Sequence, residues 1–326
     1  MKCGPSSLSI ITMNNINIRQ PFFSVIIPVY NAVKLVGETL ESVFAQECED
    51  FEIIVVNDGS TDNTRDVLEA YAENCRLRMR IIQQENKGEG GARNRGIFSA
   101  QGKYLAFLDQ DDLWFPWTLE TYFNVLQTHD FPSILVASGA EFHNLEDAAK
   151  IKYAEISVSV YEDFFSAAHD QYLPAGTPGT VVKAEEAQRI GGLSEDRVIG
   201  IDQEIFLKLG EAKGLVHVTS PVTVAIRRHE GNLQRNVTMA AKGALLFIDR
   251  ECRNMYPGKS DRKWTRRRII SRWTRTVSMQ CLRAKYYRQA WEIYFRTFFW
   301  NLYLWRIKYL LGFPLKHMFE RILKLQ

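Results

Sequence analysis

The sequence predicts an α/β fold: a Rossmann-like, mixed but mainly parallel sheet flanked by helices, with an α-helical extension at its C-terminal end. Two observations predict it. Between residues 23 and 108, short apolar runs typical of buried strands alternate with segments of helical period, an order that gives parallel strands joined by right-handed crossovers. Polar clusters directly follow three of these runs, at the strand ends where such sheets bind ligands.

The elements follow in order along the chain. The predicted strands are residues 23–30, 51–56, 79–82 and 104–108, and the predicted helices are residues 34–46, 62–73 and 92–100. A glycine-rich turn at 88–91 precedes the third helix. Ser60 or Thr61 can cap the second helix.

Beyond about residue 130 the pattern is less regular. We predict a strand at 134–138, a loop at 174–180 before Val181 and Val182, and a short helix at 184–190. A loop at 191–193, a helix at 202–209 and one extended segment at 215–226 follow, and from Ala240 onward the chain reads as helices.

The most informative stretch is the fourth strand, which runs into Asp109, Gln110, Asp111 and Asp112. Three carboxylates at one strand end repel one another unless a cation is shared between them. Mg²⁺ and Mn²⁺ prefer oxygen ligands and keep positions open for substrate phosphates. The cluster therefore indicates chemistry on a phosphorylated substrate, and a solvated acidic turn is the alternative.

Charge is distributed unevenly. The chain of 326 residues carries a formal net charge of +3, yet residues 250–326 hold 19 Lys/Arg against 4 Asp/Glu, and five of the seven tryptophans lie in this part of the chain. Basic, aromatic helices without a spanning segment are typical of a membrane interface, where anionic lipids attract them. The alternative is packing on the rest of the protein. No nucleic-acid motif accompanies the charge.

Four motifs in order resemble family 2 glycosyltransferases. They are Ser24–Asn31 (SVIIPVYN), Val56–Asp62 (VNDGSTD), Asn86–Gly96 (NKGEGGARNRG) and Phe107–Asp112 (FLDQDD). The resemblance is close over residues 22–120 and weakens to about 232. It implies a GT-A fold, transfer of a sugar from a nucleotide diphosphate donor to a hydroxyl with inversion, and a requirement for Mg²⁺ or Mn²⁺.

The resemblance also implies donor-side roles. Asp58 would hold the nucleobase, although closing the Asp-Gly turn is an alternative. Asp109 would face the ribose and the neighbouring phosphate, Asp111 would bind the metal, and Gln110 stands where the family often has a small residue. The remaining donor-side candidates are Pro28, Tyr30 and Asn31 around the base and ribose, Gly88 and Arg93 in the glycine loop, and His229 near the diphosphate and metal.

On the acceptor side, Gly191–Phe206 resembles the family loop that precedes a Glu-Asp pair. Asp202 matches the aspartate and is our predicted catalytic base, with a helix N-terminal acid as the alternative. Ile201 replaces the glutamate. Glu204 is the rival base, and Asp112 and Thr177 are further acceptor-side candidates.

These features predict an inverting glycosyltransferase with a nucleotide-sugar donor, UDP-type by expectation, and a glycan or lipid-linked acceptor in cell-surface polysaccharide or lipopolysaccharide synthesis. We predict a disordered tail (1–20), a GT-A catalytic domain (21–235) and a basic helical module (236–326) at the cytoplasmic face of the cell membrane. The five scattered cysteines fit free thiols in a reducing compartment. A metal-dependent nucleotidyltransferase and a non-catalytic nucleotide-sugar-binding scaffold are the alternatives.

Overall fold

A computed structural model describes residues 20–74, 79–170, 173, 176–229 and 236–322, so nearly all of the predicted tail lies outside the described residues. The strands are β1 (Phe23–Val29), β2 (Phe51–Asn57), β3 (Met79–Gln83), β4 (Tyr104–Phe107), β5 (Leu113–Trp114), β6 (Ile134–Ala137), β7 (Gly139–Phe142), β8 (Ser157–Tyr161), β9 (Thr180–Lys183), β10 (Leu215–Ser220) and β11 (Val224–Arg227).

The helices begin and end as follows: α1 (Val36–Phe44), α2 (Thr64–Asn74), α3 (Gly88–Ser99), α4 (Thr118–Thr128), α5 (Leu145–Ala149), α6 (Phe164–Asp170), α7 (Ala184–Arg189), α8 (Ile201–Leu209), α9 (Val237–Cys252), α10 (Lys263–Arg283), α11 (Tyr287–Tyr303) and α12 (Ile307–Ile322). A 3-10 turn at Thr177–Gly179 precedes β9.

The main sheet has eight strands in the order β3-β2-β1-β4-β9-β6-β10-β8. The first four strands of the chain are parallel neighbours. β9 runs antiparallel between β4 and β6, and β8 runs antiparallel at the edge. A smaller sheet, in the order β5-β11-β7, accompanies it. The predicted mixed, mainly parallel α/β fold is therefore confirmed.

Both faces of the main sheet are covered, which explains the unbroken apolar runs of its central strands. Every residue of β1 and β4 is buried. Val25 and Ile27 pack into a cluster with α1, α2 and α4, whereas Ile26 packs into the cluster on the opposite face, which includes α3 and α6–α10. The alternation follows from the period of two in a strand.

Two predicted elements differ in the structure. The segment predicted as one extended stretch at 215–226 forms two strands, β10 in the main sheet and β11 in the smaller one. The predicted glycine turn at 88–91 is the first turn of α3 itself. Helix α4 was not predicted, although its apolar residues Leu119, Tyr122, Val125 and Leu126 have helical spacing and are buried.

The C-terminal helices share the core of the α/β part. Phe247, Ile270 and Phe313 belong to the same apolar cluster as Ile26 and Phe107 of the sheet. The cluster crosses the predicted domain boundary near residue 235, and that boundary stays a prediction. None of the helices in the described part of the chain has the length and apolarity that crossing a bilayer requires.

Most of the C-terminal tryptophans pack internally, as the alternative interpretation expected. Trp291 packs edge-on against Phe313, and Arg267 lies over the ring of Trp300. Trp273 lies against Gly200, in the loop before α8. Among these five tryptophans, all within the described residues, only Trp305 is exposed.

Gly243 marks the closest approach of α9 to the α/β part. A Cβ at this position would lie 2.1 Å from the backbone oxygen of Ile199. We expect Gly243→Ala to lower the free energy of unfolding by about 1–3 kcal/mol, because backbone must shift to admit the methyl group. Gly312→Ala is the matched control. Its Cβ would meet nothing within 4 Å, so a gain of about 0.5–1 kcal/mol is expected in the same helical context.

Urea unfolding of the two variants and the wild type, followed by circular dichroism, measures both changes. Equal effects of the two substitutions would contradict the close packing of α9 on the loop before α8.

Candidate active site at the carboxyl ends of the strands

Three loops that follow neighbouring strands interlock at one edge of the main sheet. β2, β1 and β4 are adjacent, so their carboxyl ends meet. The backbone N–H of Tyr30 donates to Oε1 of Gln110 at 2.7 Å, and the N–H of Asn31 donates to Oγ of Ser60 at 3.0 Å. The polar clusters predicted from the sequence are therefore brought together.

Asp58 lies at the end of β2 and caps the start of α3. Its buried carboxylate accepts hydrogen bonds from the backbone N–H groups of Lys87 and Gly88, each at 2.8 Å, and from Nε2 of Gln84 at 2.7 Å. These N–H groups belong to the unpaired donors of a helix N-terminus, where a negative charge is stabilised. Asp58 thus fixes α3 against the sheet edge.

Of the residues predicted around the base and ribose, Tyr30 and Asn31 are exposed and Pro28 is not. Pro28 is buried within β1, opposite Val56, so its ring does not line an open pocket, in contrast to the prediction. Asn31 has a positive φ of 49° and its Oδ1 accepts from the N–H of Thr61 at 2.8 Å. Asn31 therefore forms a turn that bonds to the loop after β2.

The glycines of the third motif serve helix packing. A Cβ on Gly90 would lie 2.0 Å from the backbone oxygen of Ser194, so α3 can approach the 191–200 loop only with glycine there. Gly88 opens the helix with a φ of +80°. The glycine-rich turn predicted before the third helix is thus part of that helix. The spacing of the motif did not indicate that Gly88 begins a helix whose first N–H groups bond to Asp58.

Arg93 is fully buried and joins three parts of the site. Its guanidinium pairs with Glu89 and Asp109, and it donates to Oγ1 of Thr177 at 2.9 Å. Burial alone would lower the pKa of Arg93, but the charges of Glu89 and Asp109 outweigh it and raise that pKa. These contacts correct two predictions: Arg93 holds Asp109 instead of reaching for phosphate, and buried Thr177 holds Arg93 instead of facing an acceptor.

The three acids after β4 have different surroundings. Burial, opposed by Arg93 and reinforced by Glu89 and Asp111, raises the pKa of Asp109 to about 6. Burial and the charges of Asp109 and Asp111 raise the pKa of Asp112 to about 8. Such values mean that the acids repel one another.

One cationic residue of β11, Arg227, counters this repulsion. The N–H of Arg227 donates to Oδ1 of Asp112 at 2.9 Å, and Nε donates to the backbone oxygen of Asp111 at 2.8 Å. Nη2 of Arg227 pairs with Glu38 at 2.5 Å. Arg227 therefore braces the acidic turn, and Asp112 is bound to it instead of facing an acceptor as predicted. No spacing in the sequence connects Glu38 with Arg227.

Asp111 and His229, the predicted metal ligands, do meet. Nε2 of His229 lies 2.7 Å from Oδ2 of Asp111, and both side chains are partly exposed. Within the described residues no three His, Cys, Asp or Glu side chains form a group that could hold a metal ion. One carboxylate and one imidazole fit Mn²⁺ or Mg²⁺ only when substrate phosphates and water complete the shell.

Asp202 lies in the first turn of α8 and is partly buried. Burial and the charge of Glu89, opposed by Arg93, raise the pKa of Asp202 to about 6. Ile201, which replaces the family's glutamate, is buried and lies next to Gly90 of α3. Its apolar side chain therefore contributes packing between α3 and α8.

Glu204 of α8 bonds to α9 and to the segment that follows it. Its carboxylate, fully buried, pairs with Arg250 and accepts from Oη of Tyr256 at 2.9 Å. The prediction that placed Glu204 on the acceptor side, as a rival to Asp202, is therefore replaced by a structural position against α9. Nothing in the sequence motif indicated this partner.

The sheet order, the acidic turn after β4 and the small second sheet define a GT-A fold, as solved structures confirm. The structure is similar to residues 1–349 of TarS from S. aureus in complex with UDP-GlcNAc, with a TM-score of 0.60, 20% identity, and coverage of 77% of this chain and 72% of that one. It is also similar to the mannosyltransferase PcManGT from Pyrobaculum calidifontis in complex with GDP-Man and Mn²⁺, with a TM-score of 0.51, 17% identity, and coverage of 93% and 88%.

Residues 24–164 match the family model described as glycosyl transferase family 2. The chain therefore carries a family 2 glycosyltransferase domain, which confirms the predicted family. An uncharacterized glycosyltransferase of Nostoc sp. (strain PCC 7120) is 43% identical over 112 residues, which cover 34% of this chain and 35% of the relative. A Bacillus subtilis (strain 168) glycosyltransferase, TuaG, provisionally assigned by name to teichuronic acid biosynthesis, is 45% identical over 96 residues, covering 29% and 38%. The matched part thus spans about a third of these relatives' length.

The contacts of Asp58 predict a role in stability that needs no ligand. Asp58→Asn removes the charge and one acceptor from the N-terminus of α3. We expect the free energy of unfolding to fall by about 1–3 kcal/mol, the range for hydrogen bonds to charged groups. Thermal and urea unfolding without nucleotide measure the change. Glu73→Gln, at an exposed position of α2, is the control with an expected change within about 0.5 kcal/mol. An Asp58 variant as stable as this control would contradict the capping role.

Proposed function

We propose that the protein is an inverting glycosyltransferase that moves a sugar from a nucleotide diphosphate-sugar to a hydroxyl group. One observation carries the proposal: Ile201, next to Asp202 in the first turn of α8, packs on Gly90 of α3, the helix whose Arg93 pairs with Asp109 of the acidic turn. The proposed base and the proposed diphosphate-binding turn are therefore joined through α3. The UDP-GlcNAc and GDP-Man named for the two similar structures support the donor class, and we propose UDP as the nucleotide.

The donor would lie along the edge formed by β2, β1 and β4. Tyr30, with its exposed ring, and Asp58, whose oxygens have further lone pairs, are the residues at the nucleoside end. Asp109 and Asp111 lie at the diphosphate end. We propose that Asp111 and His229 hold a Mn²⁺ or Mg²⁺ ion there. When bound, such an ion neutralises charge on the departing diphosphate.

Asp202 supplies the proton chemistry on the acceptor side. Its carboxylate takes the proton of the acceptor hydroxyl while that oxygen bonds to the anomeric carbon. The bond from this carbon to the diphosphate oxygen breaks, and its electron pair leaves with the nucleoside diphosphate. Because attack and departure occur on opposite faces of the sugar, one base is sufficient and the configuration inverts.

The proposed acceptor class rests on a similar protein and on the charge of the C-terminal helices. The relative assigned by name to teichuronic acid biosynthesis supports a glycan or lipid-linked acceptor in cell-surface polysaccharide synthesis. We propose hexosyl or N-acetylhexosaminyl transfer at the cytoplasmic face of the membrane. The basic excess of residues 250–326 supports a location at anionic lipid.

The exposed faces of α11 and α12 support membrane association. Leu311, Leu315, Met318 and Phe319 are exposed at spacings that place them on one face of α12, and Leu310 and Phe313 on the other face are buried. Phe295, Phe299 and Leu302 form a similar exposed stripe on α11, and Trp305 follows it with 83% exposure. Exposed apolar stripes on basic helices are typical of segments that lie in a bilayer interface.

We expect the double variant Phe299→Ser/Trp305→Ser to bind vesicles of phosphatidylcholine with phosphatidylglycerol at least about tenfold more weakly, since each buried aromatic contributes on the order of 1–2 kcal/mol. Vesicle sedimentation measures binding. Phe98→Ser, exposed on α3, is the control and should bind like the wild type. Deleting residues 260–326 is a poor test, because α10 and α11 complete the apolar core. Equal binding by all three proteins would refute the assignment of the surface.

The proposed activity predicts release of nucleoside diphosphate from a nucleotide sugar in the presence of Mn²⁺. Asp202→Asn should lower kcat by about 10²–10⁴-fold, the usual contribution of a general base. The wild-type rate should fall below a pH of about 6, where Asp202 becomes protonated, because a base acts only when deprotonated. A screen of UDP- and GDP-sugars with Mn²⁺, Mg²⁺ or a chelator, with chromatography of the products, measures these rates.

Glu186→Gln on α7, paired at the surface with Arg189, is the control and should retain wild-type turnover. Release of pyrophosphate would indicate nucleotidyl transfer instead. Nucleotide-sugar binding without turnover would indicate a non-catalytic scaffold.

A further inference from the structure

Arg250 of α9 connects the C-terminal helices with the part of the chain that carries the proposed base. Its guanidinium pairs with Glu204 of α8 and donates from Nη2 to Oδ2 of Asp196 at 2.7 Å and to Oγ of Ser194 at 3.2 Å. One side chain therefore bonds to the helix of Asp202 and to the loop that precedes that helix.

Glu204 takes its partners from Arg250 and Tyr256. We call the contacts of these two residues with α8 and the preceding loop the junction. The side chain of Glu204 is 1% exposed, and Oη of Tyr256 donates to the same oxygen that pairs with Arg250. Burial and the neighbouring carboxylate raise the pKa of Tyr256, so the hydroxyl stays a donor. A buried carboxylate that loses such partners costs far more than an exposed one. Arg250 and Tyr256 thus fix the rotation of α8 about its own axis.

The loop at 191–200, which bonds to Arg250, also bonds to α3. Asn94 of α3 bonds to both backbone groups of Leu193, at 2.8 and 3.0 Å. The backbone oxygen of Ser194 lies against Gly90. Since Asn94 follows Arg93 in the chain, the loop lies between the helix that holds the buried cation and the helix that holds Asp202.

We propose that Arg250, together with Tyr256, is a positioning residue that sets Asp202 at its working distance from the Arg93 cluster. The proposal rests on the proposed transferase function and adds a requirement to it. The C-terminal helices are needed for turnover through this junction, independently of any attachment to a membrane. Small displacements of a base reduce turnover strongly while leaving donor binding intact.

The chain offers a matched control in the ion pair of Asp249, the neighbour of Arg250 on α9. Arg296 of α11 pairs with Asp249 of α9 at 2.5 Å, and both side chains are about one-third to one-half exposed. This pair also joins two C-terminal helices by an Arg–carboxylate contact, but neither residue touches α8 or the 191–200 loop in the contacts described above. Arg296→Lys therefore reproduces the chemical change of Arg250→Lys without its geometric consequence.

The test compares Arg250→Lys and Tyr256→Phe with Arg296→Lys in the full-length chain without membrane. We expect the first two variants to lower kcat by about ten- to a hundredfold, with KM for the donor changed less than about twofold. Hydrogen exchange of the α8 amides should accelerate in both and stay at the wild-type rate in Arg296→Lys. Tyr256→Phe removes one hydroxyl only, so the protein should remain folded.

Wild-type kcat in Arg250→Lys and Tyr256→Phe, or equal losses of kcat in all three variants, would overturn the proposal. If the wild type itself shows no turnover with any nucleotide sugar, the proposed function fails, and the exchange of the α8 amides still decides on the junction. Unchanged exchange in Arg250→Lys and Tyr256→Phe would then overturn it as well.

Discussion

The candidate site depends on one buried cation. The guanidinium of Arg93 is enclosed by Glu89 on its own helix, Asp109 after β4 and Thr177 in the turn before β9. An unpaired buried charge would be too costly to keep, so these three partners must stay where they are. Helix α3, the acidic turn and the 3-10 turn are consequently held in one arrangement, and the first turn of α8, which carries Asp202, packs on α3 at Gly90.

The charges of the acidic turn are balanced by Arg93 and by a second arginine. The acidic turn concentrates negative charge. Arg93 of α3 offsets it by pairing with Asp109, and Arg227 of β11 offsets it by donating to the backbone oxygen of Asp111. Asp112 is buried, whereas Asp109, paired with Arg93, and Asp111, paired with His229, stay partly exposed. The protein thereby buries one acid of the turn and leaves the other two partly exposed at the edge of the sheet.

The fold was predictable because its signals are local: β1 and β4 are apolar throughout, and polar residues stop them. Asp58, Asp111 and His229 were found through motifs, and the structure brings them to one edge. Other features rest on contacts that no local pattern shows. Glu38 and Arg227 are 189 residues apart, and Glu204 and Arg250 are 46 apart. The glycines of the third motif were predicted as a turn before the helix and not as part of it, because the carbonyl of Ser194 that excludes a side chain at Gly90 is contributed by a distant segment.

The junction between α9 and the 191–200 loop bears on how such chains diversify. The segment matched by the family model ends at residue 164, whereas Gly243 and Arg250 interlock with the loop and helix that follow it. A recombination point near residue 164 would leave that loop, α8 and α9 together on one side. Chimeras that exchange only the C-terminal helices would instead separate α9 from the loop and helix it packs on. We therefore expect substitutions in the 191–200 loop, α8 and α9 to be inherited together.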